Sequence, residues 1–92
     1  MLIRYIIYMR VATYLRRAIR DLAKLPDKDV KLITGKIDQY ASAPEELTNN
    51  VTEMKGTQGK RLRIGNYRVL FDENDTVLTI FRVRKRADAY RK

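Results

Sequence analysis

The chain contains no cysteine and no histidine among its 92 residues. Without cysteine it can form no disulfide, no thiolate nucleophile and no zinc–thiolate centre. Without histidine it lacks the commonest general base, the Ser–His and Cys–His nucleophile pairs and most transition-metal sites. Any catalysis must therefore use arginine, lysine, tyrosine, aspartate or glutamate.

Export, membrane and cofactor signals are also missing. The opening stretch 1–9 is apolar, but Arg4 interrupts it, it is too short for a spanning helix, and it has no small-residue cleavage site. No set of carboxylates has metal-ligand spacing, and there is no phosphate-binding P-loop. We therefore expect no metal, no cofactor and a cytoplasmic location.

Positive charge, in contrast, is abundant. Twenty lysines and arginines against eleven acidic residues give a net charge of +9 and a pI of about 10.1. Residues 60–92 hold ten basic and four acidic residues, so two thirds of the excess lies in the last third of the chain. Such clustering indicates a polyanionic partner: a nucleic acid, an anionic membrane surface or an acidic protein. The alternative is a basic protein that is merely soluble.

The first half of the chain predicts a strand followed by two helices. Residues 2–9 are rich in β-branched and aromatic side chains, which favours a buried strand. Helical spacing from about Val11 predicts a first helix that Pro26 ends, and Asp27 is the predicted N-cap of a second helix. The apolar stripes are Val11, Leu15, Ala18, Ile19, Leu22 and Leu25, then Val30, Ile33, Ile37, Tyr40 and Ala41.

The second half predicts a loop and three strands. Residues 42–59 are loop-like, with Val51 and Met54 against the core, and strands follow at Lys60–Ile64, 67–72 and 76–84. Gly65-Asn66 is a two-residue hairpin signal. The chain is thus predicted to be one α+β domain, residues 1–92, of order β-α-α-β-β-β: an antiparallel sheet with a helical hairpin packed on one face.

Strand alternation predicts where the arginines lie. Arg61 and Arg63 share a face opposite Leu62 and Ile64, which the helices should cover. In the last strand Arg82 and Arg84 are predicted on one face, with Phe81 and Val83 on the other. The candidate anion-binding residues are Arg61, Arg63, Arg68, Arg84 and Arg86, beside Tyr90 in the charged tail.

This arrangement favours a phosphate ligand. Like charges at neighbouring sheet positions cost up to about 1 kcal/mol per pair, so a sheet that keeps several is expected to bind an anion. The planar fork of arginine matches phosphate, and aromatic rings beside cations are typical of single-stranded RNA binding. The alternative is a solvated arginine face, with Tyr90 folded back to anchor the terminus.

At this point a resemblance is evident. The stretch RLRIGNYRVLF at 61–71, Met-Lys-Gly at 54–56, residues 83–86 and Tyr90-Arg91, with Leu25-Pro26 between the helices, resemble the RelE/ParE superfamily of bacterial toxins, most closely its RelE branch. The resemblance covers essentially the whole chain. It implies the toxin of a type II toxin–antitoxin system that cuts mRNA in the ribosome, is held inactive by a cognate antitoxin, and has no membrane partner.

The resemblance also implies roles for individual residues. Arg68 and Arg86 match phosphate-contacting arginines, and Tyr90 matches a tyrosine that stacks on the substrate base or assists proton transfer. The implied catalytic set is Arg61, Arg63, Arg68, Arg86 and Tyr90, and the further RNA-binding set is Lys55, Lys60, Arg84, Lys85 and Arg91. Some members carry lysine where this chain has Arg61 and Arg63, and arginine cannot act as a base, which leaves Lys85 and Tyr90 as candidate bases.

Two other functions remain open. A ParE-like protein would inhibit DNA gyrase without catalysis, and the same fold and the RLRIGNYR segment would suit it. An inactive basic RNA-binding domain would show an RNA affinity that falls steeply with salt and would form no product. For the toxin readings, the expected antitoxin is acidic overall or brings an amphipathic helix to the exposed sheet or helical face.

Overall fold

The computed structural model describes residues 10–54 and 59–85 and shows one five-stranded sheet covered by helices on one face. The elements are β1 (Val11–Tyr14), α1 (Arg16–Ala23), α2 (Asp27–Ser42), a 3₁₀ segment (Pro44–Asn50), β2 (Val51–Glu53), β3 (Lys60–Ile64), β4 (Tyr67–Glu73) and β5 (Val77–Lys85). The strand order is β1-β5-β4-β3-β2, and every neighbouring pair is antiparallel except β1 and β5. The predicted α+β class is confirmed.

The prediction that the first helix starts near Val11 is wrong. Residues 11–14 form β1, which pairs in parallel with β5 from Val11 opposite Val77 to Tyr14 opposite Ile80, and α1 begins only at Arg16. Val11 fits a helical stripe, but β-branched and aromatic neighbours suit a strand, and β5 offers backbone partners along its edge. The strand predicted at 2–9 lies outside the described residues.

The second helix follows its predicted apolar stripe. Ile33, Ile37, Tyr40 and Ala41 are buried against the sheet. Asp27 is not the N-cap, because Pro26 occupies that position and Asp27 is the first residue of α2. Its carboxylate still lies in the first turn, where it interacts favourably with the helix dipole. Within the described ranges, neither α-helix has the length and apolar character needed to cross a bilayer.

The core lies on the helical side of the sheet and follows the predicted alternation on two strands. Its buried sheet residues are Leu62 and Ile64 of β3, Tyr67, Val69 and Phe71 of β4, and Leu78, Ile80 and Val83 of β5. A bulge in β5 places Ile80 opposite Phe71 but Arg82 opposite Leu70, so Phe81 is the extra residue. Strict alternation therefore fails at Phe81, which was predicted to share the face of Val83. Arg82 and Arg84 pair with Leu70 and Arg68 and so share a face as predicted.

The loop predicted at 42–59 contains regular structure. After the 3₁₀ segment, Val51–Glu53 pairs antiparallel with β3, from Val51 opposite Leu62 to Glu53 opposite Lys60. Val51 packs against the core as predicted. This three-residue edge strand escaped the sequence pattern because it is too short to show alternation.

Two glycines, Gly65 in the β3–β4 turn and Gly35 in α2, should respond in opposite ways to replacement by alanine. Gly65 has φ of 55°, which an alanine adopts at a cost of about 1–2 kcal/mol. Gly35 lies exposed within α2, where an added Cβ meets nothing within 4 Å, so Gly35→Ala should stabilise by about 0.5–1 kcal/mol. In urea unfolding, Gly65→Ala should lower the denaturation midpoint and Gly35→Ala should raise it. Equal shifts of the two variants would contradict the turn conformation of Gly65.

Candidate nucleic-acid interface

Three arginines form a row across the sheet on the face away from the helices. Arg63 of β3 lies directly opposite Arg68 of β4, which lies directly opposite Arg84 of β5. Side chains at such paired positions have Cβ atoms about 4.5–5.5 Å apart. Arg61, two residues before Arg63, lies on the same face in the next row. We refer to Arg61, Arg63, Arg68 and Arg84 as the arginine face.

Arg61 and Arg63 take no part in the ion pairs seen among the described residues. Within 10–54 and 59–85, Asp21 and Glu73 are the carboxylates that form ion pairs, and neither pairs with Arg61 or Arg63. Arg63 is exposed, while Arg61 is half-buried between its neighbours on the sheet. Because like charges at neighbouring sheet positions repel one another, an anion bound at this face would be stabilised.

A small polar pocket opens beside the row. It has a volume of about 100 Å³ and is lined by Asn49 and Asn50 of the 3₁₀ segment, Thr52 of β2, and Arg61, Arg63 and Arg68. The side-chain amide of Asn50 donates a hydrogen bond of 3.2 Å to the backbone carbonyl of Arg63, which ties the 3₁₀ segment to β3. Sequence reasoning missed the two asparagines and Thr52, because they reach the pocket through the pairing of Thr52 with Arg61, which a three-residue strand does not reveal.

Lys60, predicted to contact RNA, faces the other side of the sheet. It pairs with Phe71, which is buried under the helices, and its ammonium group binds the carboxylate of Glu73. The hydrogen bond to Glu73 raises the pKa of Lys60 above its usual value despite partial desolvation. The structure therefore does not bring Lys60 to the arginine face.

Glu73 is the centre of a polar cluster on that helical side. It accepts hydrogen bonds from Arg10, Lys60 and the hydroxyl of Tyr40. Burial alone would raise the pKa of Glu73, but the hydrogen bonds from Lys60, Arg10 and Tyr40 outweigh it and lower the pKa. Arg10 also donates to the carbonyls of Tyr40 and Ala41, two groups left without helical partners at the end of α2.

Arg82, which shares a face of β5 with Arg84 by register, binds Asp21 of α1. Its Nε and Nη2 atoms donate to the two carboxylate oxygens at 2.8 and 3.1 Å, and Asp21 also accepts the backbone N–H of Val83 at 2.9 Å. Burial raises the pKa of Asp21, but these hydrogen bonds lower it overall. Because β1 ends opposite Ile80, the carboxylate replaces a strand partner at this edge of β5.

Tyr67 and Lys85 lie opposite each other on the helical side, at the end of the pairing between β4 and β5. Tyr67 is buried and its hydroxyl donates to Asp29 at 2.7 Å, so the ring packs rather than presenting a stacking surface. Lys85 pairs with Tyr67 and is exposed beyond it. By register Lys85 therefore faces away from Arg61, Arg63 and Arg68, and its predicted role as a base loses geometric support. Lys55, Arg86, Tyr90 and Arg91 lie outside the described residues.

The fold and this face define a small α+β protein with an arginine-bearing sheet. A family model described as the ParE toxin of the type II toxin–antitoxin system parDE matches residues 12–90, and the chain belongs to this family. It is a toxin of the RelE/ParE superfamily, as the sequence predicted. A search among proteins with curated functions finds no match.

Solved structures of this superfamily have the same fold. The archaeal RelE–RelB complex from Pyrococcus horikoshii OT3 is 25% identical, with 86% of this chain and 96% of that chain covered and a TM-score of 0.69. The chromosomal ParDE system from P. aeruginosa is 14% identical, with 85% of this chain and 97% of that chain covered and a TM-score of 0.67. YafQ from E. coli strain BL21(DE3) is 13% identical, with 89% of this chain and 99% of that chain covered and a TM-score of 0.69. At these lower identities the likeness shows the fold alone.

Proposed function

We propose that this toxin is a RelE-like endoribonuclease that cuts mRNA on the ribosome and so inhibits translation. The observation that carries the proposal is the row of Arg63, Arg68 and Arg84 across three adjacent strands, with Arg61 beside it. Each guanidinium donates two parallel hydrogen bonds in a plane, which matches the oxygens of a phosphodiester. The spacing between neighbouring β-strands places several guanidinium groups within reach of one extended RNA strand.

The proposed reaction is metal-independent transesterification. The ribose 2′-oxygen attacks the adjacent phosphorus, the bond from phosphorus to the 5′-oxygen breaks, and the products are a 2′,3′-cyclic phosphate and a 5′-hydroxyl. The proton of the 2′-hydroxyl is lost and the leaving oxygen gains one. Arg61 and Arg68 bind the scissile phosphate and stabilise the negative charge that accumulates on its oxygens.

Proton transfer is the part that the arginines cannot perform, because a guanidinium does not lose its proton near neutral pH. Lys60 and Lys85 lie on the other side of the sheet from the arginine face. Within the proposal, Arg86 offsets developing charge and Tyr90 assists proton transfer; both lie outside the described residues.

The proposed partner besides mRNA is an antitoxin that holds the toxin inactive. Solved relatives include RelE–RelB complexes from Pyrococcus horikoshii OT3 and Methanococcus jannaschii. An acidic segment of such a partner would be attracted to the arginine face and would exclude RNA from it.

A ParE-like inhibitor of DNA gyrase is the second candidate. It is favoured by the description of the matching family model and by the likeness to the ParDE system of P. aeruginosa. A protein of that kind would act by binding and would form no RNA product.

Induced expression with primer-extension mapping of mRNA, beside a gyrase supercoiling assay with purified toxin, separates the two candidates. The endoribonuclease predicts discrete 5′ ends within translated messages and unaffected supercoiling. Inhibited supercoiling with intact messages would replace the proposal by the gyrase inhibitor. If the toxin shows neither effect and its RNA affinity falls steeply with salt, the remaining candidate is an inactive RNA-binding domain.

A further inference from the structure

The pocket beside the arginine row has a polar lining that the phosphate-binding role does not use. Its arginines come from β3 and β4, whereas Asn49 and Thr52 approach from the 3₁₀ segment and β2. A pocket of about 100 Å³ is well below the usual range for whole small molecules, about 300–1,000 Å³. It therefore suits a phosphate and the neighbouring sugar edge rather than a nucleobase.

Asn49 and Asn50 differ in how their amides are used. Asn50 donates to the carbonyl of Arg63 and so holds the 3₁₀ segment against β3. Asn49 is exposed and lines the pocket, and its side-chain amide makes no hydrogen bond with the described part of the chain. Its amide therefore offers both a donor and an acceptor next to the guanidinium groups.

We propose that Asn49 recognises the ribose 2′-hydroxyl of a strand whose phosphate is held by Arg61 and Arg63, so that this pocket distinguishes RNA from DNA. The 2′-hydroxyl is both a donor and an acceptor, and it is the group that separates the two nucleic acids at a given site. Arg61 and Arg63 provide the affinity for phosphate, Asn50 positions the segment, and Asn49 provides the discrimination. The inference rests on the proposed RNA substrate and deepens it.

The test measures binding of short single strands of one sequence in ribose, deoxyribose and 2′-O-methyl form, at fixed salt, to purified toxin. The wild type should prefer the ribose strand. Asn49→Ala should reduce that preference about three- to tenfold, the equivalent of one hydrogen bond of about 0.5–1.5 kcal/mol, with little change for the deoxyribose strand. Thr48→Ala, exposed on the same 3₁₀ segment but lining a different cavity, is the matched control and should keep the preference.

Arg61→Ala serves as the contrasting variant. It should weaken all three strands alike and lower the slope of log affinity against log salt by about 1, because it removes a phosphate contact. An unaltered ribose preference in Asn49→Ala, or no preference in the wild type, overturns the inference. A change in affinity that depends on the base rather than on the sugar also overturns the inference.

The outcome is separable from that of the proposed function. If the toxin cuts mRNA on ribosomes but Asn49→Ala keeps the ribose preference, only the role of Asn49 fails. If Asn49→Ala loses the preference while no cutting occurs, the sugar-recognising pocket stands and the endoribonuclease proposal fails.

Discussion

Replacing Arg61 or Arg68 with alanine is expected to reduce cleavage of ribosome-bound mRNA by about 10²–10³-fold, the usual effect of removing one well-placed donor to a charged transition state. Both side chains line the pocket on the face opposite the core. The charge on the phosphate oxygens grows during the reaction, so each lost donor costs more in the transition state than in the bound substrate. Initial rates from primer extension on ribosomes programmed in vitro measure the effect.

The controls separate geometry from net charge. Arg17→Ala removes the same charge from an exposed position on α1 and should leave the rate unchanged. Arg68→Lys keeps the charge but loses the planar fork, so its rate should fall between those of the wild type and the alanine variant. Full cleavage by folded Arg61→Ala and Arg68→Ala proteins would show that the arginine face is not the site.

The sheet around this face could be predicted from the sequence because its determinants are local. Alternation in β3 separates Arg61 and Arg63 from Leu62 and Ile64 without any knowledge of the partners. A two-residue turn at Gly65-Asn66 then fixes the register that places Arg68 opposite Arg63. Together these two patterns predict that arginines of adjacent strands meet on one face.

The errors arise where the structure depends on distant partners. Residues 11–14 form a strand because they pair with β5, and this pairing cannot be read from the segment itself. The partner of Arg82 is Asp21, 61 positions earlier in the chain, which lies at the edge of β5 beyond the end of β1. Asn49 reaches the pocket only through the pairing of β2 with β3, which a three-residue strand does not reveal.

Lys60 is a different kind of error, because the alternation already contained the answer. The period of two that puts Leu62 in the core puts Lys60 on the same side. The prediction that Lys60 contacts RNA took account of its charge but not of the face of the sheet on which it lies. The structure gives it the carboxylate of Glu73 as a partner instead.

Glu73→Gln is expected to lower the free energy of unfolding by about 2–4 kcal/mol, because it leaves two cations, Arg10 and Lys60, around a neutral side chain in a largely enclosed site. Losses of this size should shift the midpoint of thermal unfolding by roughly 4–8 °C per kcal/mol in a domain of this length. Urea and thermal unfolding followed by circular dichroism measure the loss. Glu45→Gln, exposed at the start of the 3₁₀ segment, is the matched control and should stay within about 0.5 kcal/mol of the wild type.

The same pair of proteins should show a pH dependence of defined sign. The folded protein holds the pKa of Glu73 below its ordinary value of 4.5, so the unfolded chain takes up this proton first as the pH falls. The contribution of Glu73 to stability is therefore fully present above about pH 5 and is lost as the pH falls through the folded pKa. Asp21, whose pKa is also lowered, titrates in both proteins, so the difference between wild type and Glu73→Gln isolates Glu73. That difference should be constant above about pH 5 and should shrink as the pH falls further, because a protonated Glu73 resembles glutamine in charge. A difference that stays constant at lower pH would mean that Glu73 stabilises the fold by packing alone.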